Sequence, residues 1–387
     1  MNKVRIGVIG IGNMGSSHAK NIFAGKIDGL SLAAVCDTSG AKKQWAAENL
    51  PGVPFFDNHK ELIGSGMVDA IVIATPHYDH PTIAVCGFEN GLHVLSEKPA
   101  GVYTKQVEEM NRAAVKSGKT FAIMYQERTI PVYAKVREIV NSGLLGELLR
   151  FVWINTTWFR SQSYYDSGGW RATWEGEGGG VLINQCPHNL DIWQWVFGMP
   201  TKVKGFCSYG KYHNIEVEDD FTAYAEYANG ATGVFIATTG ECPGSNRMEI
   251  TGDKAKIVVE DDKIKLWKLE KSVKEHCFTT NKGFEKVASE YEEIIPAESK
   301  GGHHAVIFRN FAAAILSGEK LIAPGIEGIN GLTISNAIHL SDWLGETVEL
   351  PIDGEKFKMM LDEKIRNSTL KKADVQGQIA DLTGSFN

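Results

Sequence analysis

The first third of the chain alternates short apolar runs with amphipathic ones. Val4–Ile9 is an apolar run that ends in glycines, and residues 16–23 have the spacing of the helix that follows it. Leu30–Cys36 is the next strand and 42–49 the next helix. Residues 70–74 (AIVIA) are all apolar, the pattern of a strand buried on both faces of a parallel sheet. A helix over 81–90, a strand at His93–Ser96, a helix over 105–117 and a strand over 120–125 continue the alternation. Such a βαβ succession predicts an α/β, Rossmann-type doubly wound parallel sheet over residues 1–125.

The pattern changes after about residue 145. Apolar stretches at 224–227 and 231–237 flank Asn229-Gly230, a hairpin signal in which both turn residues would take positive φ. Short strands are expected near Ile250, over 257–259 and 264–267, and near Ile294. Residues 304–316 and 326–344 read as helices packed on that sheet. Residues 126–387 are therefore expected to form an α+β domain with a large, predominantly antiparallel sheet. It would bind substrate and mediate oligomerisation.

Composition narrows the class. The net charge is −7, which disfavours nucleic acid and anionic lipid as partners, since both require clustered basic residues. No run of 18 or more apolar residues is present, so no membrane span is expected. The glycine-laced start reads as a strand rather than a signal peptide. Six cysteines are scattered without a CxxC pair, which suits reduced thiols in a cytoplasmic protein and argues against a metal site.

Candidate chemistry begins at Gly10-Ile11-Gly12-Asn13-Met14-Gly15. This G-x-G-x-x-G follows an apolar strand directly and opens a helix. The first glycine permits the tight turn, the second lets the backbone approach a pyrophosphate, and the third allows close helix–strand contact. In a chain with 41 glycines the hexapeptide alone is weak; its strand–turn–helix context strengthens it. Asp37 lies at the end of the second strand, where a carboxylate accepts from the adenosine ribose and repels a 2′-phosphate. NAD is therefore expected over NADP, with Lys42 and Lys43 read as solvated lysines of a helix face.

Thr75-Pro76-His77 and Glu97-Lys98-Pro99 follow the third and fourth strands at their carboxyl ends, where open α/β sheets bind ligands. His77 and His80 read as shaping the cofactor site rather than holding a metal. A lysine beside a cofactor can act as proton donor or acceptor, which singles out Lys98. Gly178-Gly179-Gly180 is read as opening an apolar helix. Asn184, His188 and Asp191 would share one face of it, and Pro187 would distort it just before the histidine. The aromatic and arginine-rich segment through Arg160, Tyr164, Tyr165, Trp170 and Arg171 suits a loop facing sugar and cofactor, because aromatic faces stack on the C–H side of sugar rings. Packing against a domain interface is the plainer alternative. His303-His304 reads as a helix-start pair without a ligand role.

Five segments in order, GIGNMGSSH, Cys36-Asp37, ATPHYDH, SEKPA and GGGVLINQCPHNLD, resemble the Gfo/Idh/MocA family of sugar and inositol oxidoreductases over nearly the whole chain. The resemblance implies a nicotinamide cofactor, and a catalytic lysine matching Lys98 with a histidine matching His188. It also implies a homodimer or homotetramer and raises the expectation of a cis Lys98–Pro99 bond. On this reading Gly10, Gly12, Asn13, Met14, Gly15, Asp37, Thr75, Pro76, His77, His80, Glu97, Lys98, Trp170 and Arg171 line the cofactor. Gln126, Arg160, Tyr165 and Asn184 contact a sugar or polyol. Many members resemble D-x-x-x-H where this chain has Asn184 before His188. That weakens an inositol-dehydrogenase reading and favours oxidation of a pyranose carbon, such as C3 of a glycoside. Two rivals stand beside it: a glycoside hydrolase using bound NAD transiently, and a non-catalytic dinucleotide sensor.

Overall fold

The computed structural model describes residues 3–298 and 301–370. The chain divides into two compact units. The first holds the residues up to Thr129 together with Gly176–Gly178 and Gly302–Leu332. The second holds Ile130–Glu175, Gly179–Gly301 and the chain from Thr333 onward. The first unit is thus discontinuous, and a single cut after residue 125 describes only its N-terminal part.

Six parallel strands build the first unit: β1 (Val4–Ile9), β2 (Leu30–Cys36), β3 (Phe55–Phe56), β4 (Ala70–Ile73), β5 (His93–Ser96) and β6 (Phe121–Ile123). Their order, β3-β2-β1-β4-β5-β6, is the doubly wound one and reverses direction between β1 and β4. All four residues of β4 have no exposed surface, which is why the strand is apolar without alternation. The helices Asn13–Phe23, Gly40–Asn49, Asp79–Glu89 and Thr104–Ser117 follow the expected positions to within a few residues. The two-residue β3 and the short helix His59–Gly64 are too brief for periodicity to reveal.

The second unit contains a nine-stranded sheet. Its strands are β7 (Leu148–Asn155), β8 (Lys202–Tyr209), β9 (Glu218–Glu226), β10 (Thr232–Thr238), β11 (Asn246–Gly252), β12 (Ala255–Glu260), β13 (Lys263–Leu269), β14 (Ser289–Ile294) and β15 (Val348–Glu349). Only β7 and β10 run parallel among the described pairs. β7 was not anticipated, because Phe151-Val152-Trp153-Ile154 masks its alternation with an unbroken apolar run. The alternation is nonetheless there: Phe151 and Trp153 are fully buried, while Val152 and Ile154 face partly outward. The inward face packs on the helix Pro187–Phe197. Trp193 stacks on Phe151 at 5.5 Å and meets Phe235 edge-on at 5.8 Å. Truncating one such aromatic costs about 3–5 kcal/mol, so this layer anchors the helix firmly.

Three expectations need correction. The helix that carries His188 begins at Pro187, not at the glycines. Proline sits at its first position, where the missing N–H costs nothing, so it starts the helix instead of distorting it. The hairpin between β9 and β10 forms, but only Gly230 takes positive φ. Gly230 N donates to Tyr227 O and Tyr227 N to Ala231 O, the pattern of a type I turn closed by a glycine bulge. Finally, the helix His303–Ser317 belongs to the first unit and not to the antiparallel sheet. Among the described residues no helix is long and apolar enough to cross a membrane.

Candidate active site

In the first unit, β1 runs straight into the glycine loop. Gly10 has φ +84°, and a Cβ there would sit 2.7 Å from Ala74 O. A Cβ at Gly15 would lie 1.8 Å from Gly10 O, so the helix can approach the turn only without a side chain. Gly12 caps the helix Asn13–Phe23 without any side-chain hydrogen bond, and nothing lies within 4 Å of where its Cβ would be. The helix thus starts at Asn13 without a side-chain cap and with open space beside Gly12, the kind of N-terminus that binds an anionic diphosphate. Asp37 Oδ2 accepts from Ile11 N and Oδ1 from Ser39 N, both at 2.9 Å, which seats a half-exposed carboxylate against the loop. Lys43 is drawn away to Asp57 at 3.0 Å, and Lys42 lies over the Trp45 ring.

The loops after β4 and β5 are clasped by one residue. His80, 1% exposed, places Nδ1 2.8 Å from Pro99 O and Nε2 2.8 Å from Thr75 O. Burial drives its pKa down, against the two carbonyls and the carboxylates of Glu97 and Asp79. His77 is also buried and directs Nδ1 to Glu177 O at 3.3 Å, while Pro76 is exposed. Thr75 Oγ1 is buried and makes no hydrogen bond among the described residues, an acceptor and donor left for a ligand. The Lys98–Pro99 bond is cis. Lys98 is half-buried, and its N–H donates to Glu97 Oε2 at 3.2 Å.

Glu97 itself is 6% exposed, with Oε1 2.7 Å from His18 Nε2. Burial would raise its pKa. The His18 bond and the charges of His18, His304 and Lys98 outweigh that and hold the carboxyl at about 2. His304 packs beside His18 at 5.6 Å, its own pKa lowered by burial. Nothing local in the sequence signals a role for His304, because its partners Glu97 and His18 come from segments about 200 to 290 residues distant. Gln126, on a short 3-10 turn, offers its carbonyl to Thr129 Oγ1.

In the second unit, residues 181–186 form consecutive turns ahead of the helix Pro187–Phe197. Asn184 therefore does not share a helical face with His188 and Asp191. His188 sits in the first turn, 6% exposed. Around Asn184 a polar cluster forms on Tyr164, whose hydroxyl donates to Asn184 Oδ1 at 3.4 Å. Arg171 Nη1 and Gln185 Nε2 donate to that hydroxyl at 3.0 and 3.4 Å. Arg171 also stacks on Trp170 at 4.6 Å, and Arg160 lies 5.2 Å over the Tyr164 ring. Tyr165, expected at the substrate, is instead core: 2% exposed, with its hydroxyl 2.7 Å from Thr239 Oγ1. Adjacent tyrosines on the short helix Gln162–Asp166 face different sides, and it is Tyr164 that joins the arginines.

Residues 4–125 match the oxidoreductase family with an NAD-binding Rossmann fold, and residues 133–258 match the GFO/IDH/MocA C-terminal domain. The D-glucoside 3-dehydrogenase of Escherichia coli is 30% identical over 202 residues, 51% of this chain and 55% of that protein. The inositol 2-dehydrogenase of Corynebacterium glutamicum is 28% identical over 196 residues, 50% of this chain and 54% of that protein. The chain thus spans about half the length of the curated relatives it matches. Among solved structures, the WlbA dehydrogenase from Bordetella pertussis in complex with NADH and UDP-GlcNAcA superposes with a TM-score of 0.75 at 26% identity. That match covers 91% of this chain and 100% of the other. With the glycine loop, the switch-point sheet and the second antiparallel sheet in place, the chain carries both domains of the Gfo/Idh/MocA oxidoreductases and belongs to that family.

Proposed function

We propose that the protein is an NAD-dependent dehydrogenase acting on a secondary hydroxyl, or the corresponding carbonyl, of a sugar, glycoside or cyclic polyol. The observation that carries this reading is the set of ligand-ready groups at the carboxyl ends of β1, β2, β4 and β5. An uncapped helix N-terminus, the Asp37 carboxylate, the unbonded Thr75 Oγ1 and Lys98 all lie on that one edge of the sheet. The residues fit a dinucleotide. Gly10, Gly12, Asn13, Met14 and Gly15 would hold the diphosphate, Asp37 the ribose, and Thr75, Pro76, His77 and Glu97 the nicotinamide side. Bound NAD would supply the hydride acceptor, and the protein must then handle the hydroxyl proton. Lys98 and His188 are assigned that task, with His188 as base and Lys98 as the cation that favours the alkoxide. The reverse assignment of the two roles is consistent with the same reading.

Tyr164, Arg160, Arg171 and Asn184 suit a pyranose as a cluster of hydrogen-bonding groups, a phenol flanked by two guanidinium groups and one amide. An amide orients a hydroxyl but takes no proton, which favours sugars and glycosides, C3 of a glycoside included, over inositols. The test is NADH formation measured by absorbance over a panel of inositols, free sugars and glycosides. Turnover of at least one glycoside or sugar is expected. Silence across the whole panel, with NAD bound, would overturn the assignment in favour of a sensor. Release of free sugar without net NADH would convert it to a hydrolase.

The same reading includes a homodimer or homotetramer formed through the outer face of the large sheet. Phe206, Thr222, Ile236 and Ile154 line one row of that face, and Tyr224, Val234 and Val152 the next. Phe206 is 59% exposed, an uncommon state for phenylalanine in the middle of a strand. Light scattering showing only monomer at micromolar concentration would refute it.

A further inference from the structure

Two adjacent carboxylates in the second unit have no part in the chemistry proposed above, yet both are fully buried. Glu218 and Asp219 open β9 with no exposed surface at all. Successive strand residues point to opposite sides of a sheet, so the two carboxylates reach different loops. Burying an anion is costly unless hydrogen bonds and charge compensate it. Both oxygens of Asp219 accept hydrogen bonds, whereas Glu218 accepts through Oε1 alone and its second oxygen faces the His339 ring.

Glu218 Oε1 accepts from Gly180 N and Leu182 N, each at 2.9 Å, while Glu218 O accepts from Val181 N at 2.9 Å. Three consecutive N–H groups thus converge on one residue. A Cβ at Gly180 would lie 1.9 Å from Glu218 O, so only glycine permits the approach. From there the turns are chained. Gly180 O accepts from Asn184 N at 3.0 Å, Val181 O from Cys186 N at 2.8 Å, and Cys186 O from Leu190 N within the His188 helix at 2.8 Å. The second oxygen of Glu218 lies 2.9 Å from His339 Nε2. That buried ring is stacked on Trp343 at 5.4 Å.

Asp219 works on the other loop. Its Oδ1 accepts from Lys211 N at 3.0 Å. Its Oδ2 accepts from Tyr212 N, His213 N and His213 Nδ1 at 2.8, 3.1 and 2.9 Å. The other ring nitrogen of His213, Nε2, lies 2.8 Å from Arg160 O. Asp219 O holds Thr239 N at 2.9 Å, and Thr239 O accepts from Arg160 N at 2.9 Å. Arg160 is therefore gripped at both its N–H and its carbonyl through one aspartate.

We propose that Glu218 and Asp219 are paired positioning residues, Glu218 setting the turn that feeds His188 and Asp219 setting the arginine–aromatic loop. This rests on the roles given above to His188 and to that loop. It predicts that the two positions affect different kinetic parameters, because displacement of a reacting group acts on the chemical step whereas displacement of a binding loop acts on affinity.

The carboxylates also differ in a way that a single-atom change exposes. The loop N–H groups on the Glu218 side chain share one oxygen, so a glutamine can keep both. Those on Asp219 are divided between its two oxygens, so an asparagine must lose one set. Hydrogen–deuterium exchange read by mass spectrometry tests this without any substrate. Glu218→Gln should leave residues 180–186 near native exchange, and Glu218→Ala should speed them by about tenfold. Asp219→Asn should speed residues 158–165 and 211–213 by about tenfold while sparing 180–186. On the best substrate of the panel, Glu218→Ala should lower kcat by about tenfold with at most the roughly threefold rise in KM that loosening Asn184 brings, and Asp219→Asn should raise KM by about tenfold at little change in kcat. Where the alanine variant does not fold, the glutamine–asparagine contrast carries the test. Equal loosening of both loops by either variant, or kcat loss in Asp219→Asn with KM unmoved, would overturn the proposal. A silent substrate panel with the exchange pattern as stated would instead count against the dehydrogenase reading alone.

Discussion

The two units secure their polar groups by different means. In the first, the groups lie at the ends of neighbouring parallel strands, and short motifs bind one another: Asp37 takes Ile11 N–H, and His80 clasps Thr75 and Pro99. Any doubly wound sheet brings those strand ends together, so the site needs little beyond glycines and one or two well-placed side chains. In the second unit the candidate groups sit on irregular turns that no strand end positions. There the buried Glu218 carboxylate reaches across 38 residues to Gly180, and His213 reaches across 53 to Arg160. A regular scaffold makes a site out of backbone; an irregular one has to be pinned by charge.

On the proposed reading each unit supplies one proton-handling group, so the largest effects should come from removing either. Lys98→Ala and His188→Ala should each lower turnover by roughly 10² to 10⁴. Both should still bind NAD in a fluorescence titration, since the glycine loop and Asp37, which supply most of that affinity, are untouched. Near-normal turnover in both would void the assignment.

Glu97→Gln asks whether the first unit is as independent of buried charge as the contrast suggests. A carboxyl held at about 2 in the folded protein, against 4.5 when exposed, adds stability that is present above pH 4.5 and lost as pH falls toward 2. The contribution is on the order of 3 kcal/mol. His304, its pKa lowered by burial, adds acid sensitivity of the same sign as its ring is forced to charge. Urea midpoints should show a gap between native protein and variant near neutrality that narrows as pH drops from 4.5 toward 2. A gap independent of pH would mean that the His18–Glu97 contact contributes shape and not charge.

Asp37→Ala should shift the ratio of NAD to NADP affinity toward NADP by about tenfold, through loss of a ribose acceptor and a repulsive charge. Titration with each cofactor reads it directly; an unchanged ratio would remove Asp37 from the ribose. The smallest effect is expected at Asn184, which lies in the turn rather than on the helix. Asn184→Ala should raise KM by about threefold with kcat little changed, the consequence of losing one orienting hydrogen bond. A larger fall in kcat than rise in KM would place the amide in the chemistry.

The parallel sheet, the glycine loop, Asp37 and the segment around Lys98 were all legible, because each combines a strict local geometry with a short apolar strand. β7 was missed where a run of apolar residues hid its alternation, and the start of the His188 helix was placed too early. Glycines suggested a helix opening where they serve close approach to Glu218, while Pro187 carried the true signal. Tyr165 was expected at the substrate but is core, while Tyr164 joins the arginines, since adjacent residues on one turn cannot be assigned to core or cluster by composition. The sequence by itself determined what depends on neighbours along the chain: the strand–helix alternation of the first unit, the glycine turn after β1 and the chemistry each motif can offer. Tertiary structure alone decided which distant side chains would pay for burial by holding those motifs. His304 beside Glu97, Glu218 under Gly180 and His213 against Arg160 are contacts between segments with no shared period, because long-range packing leaves no repeat in the sequence that makes it.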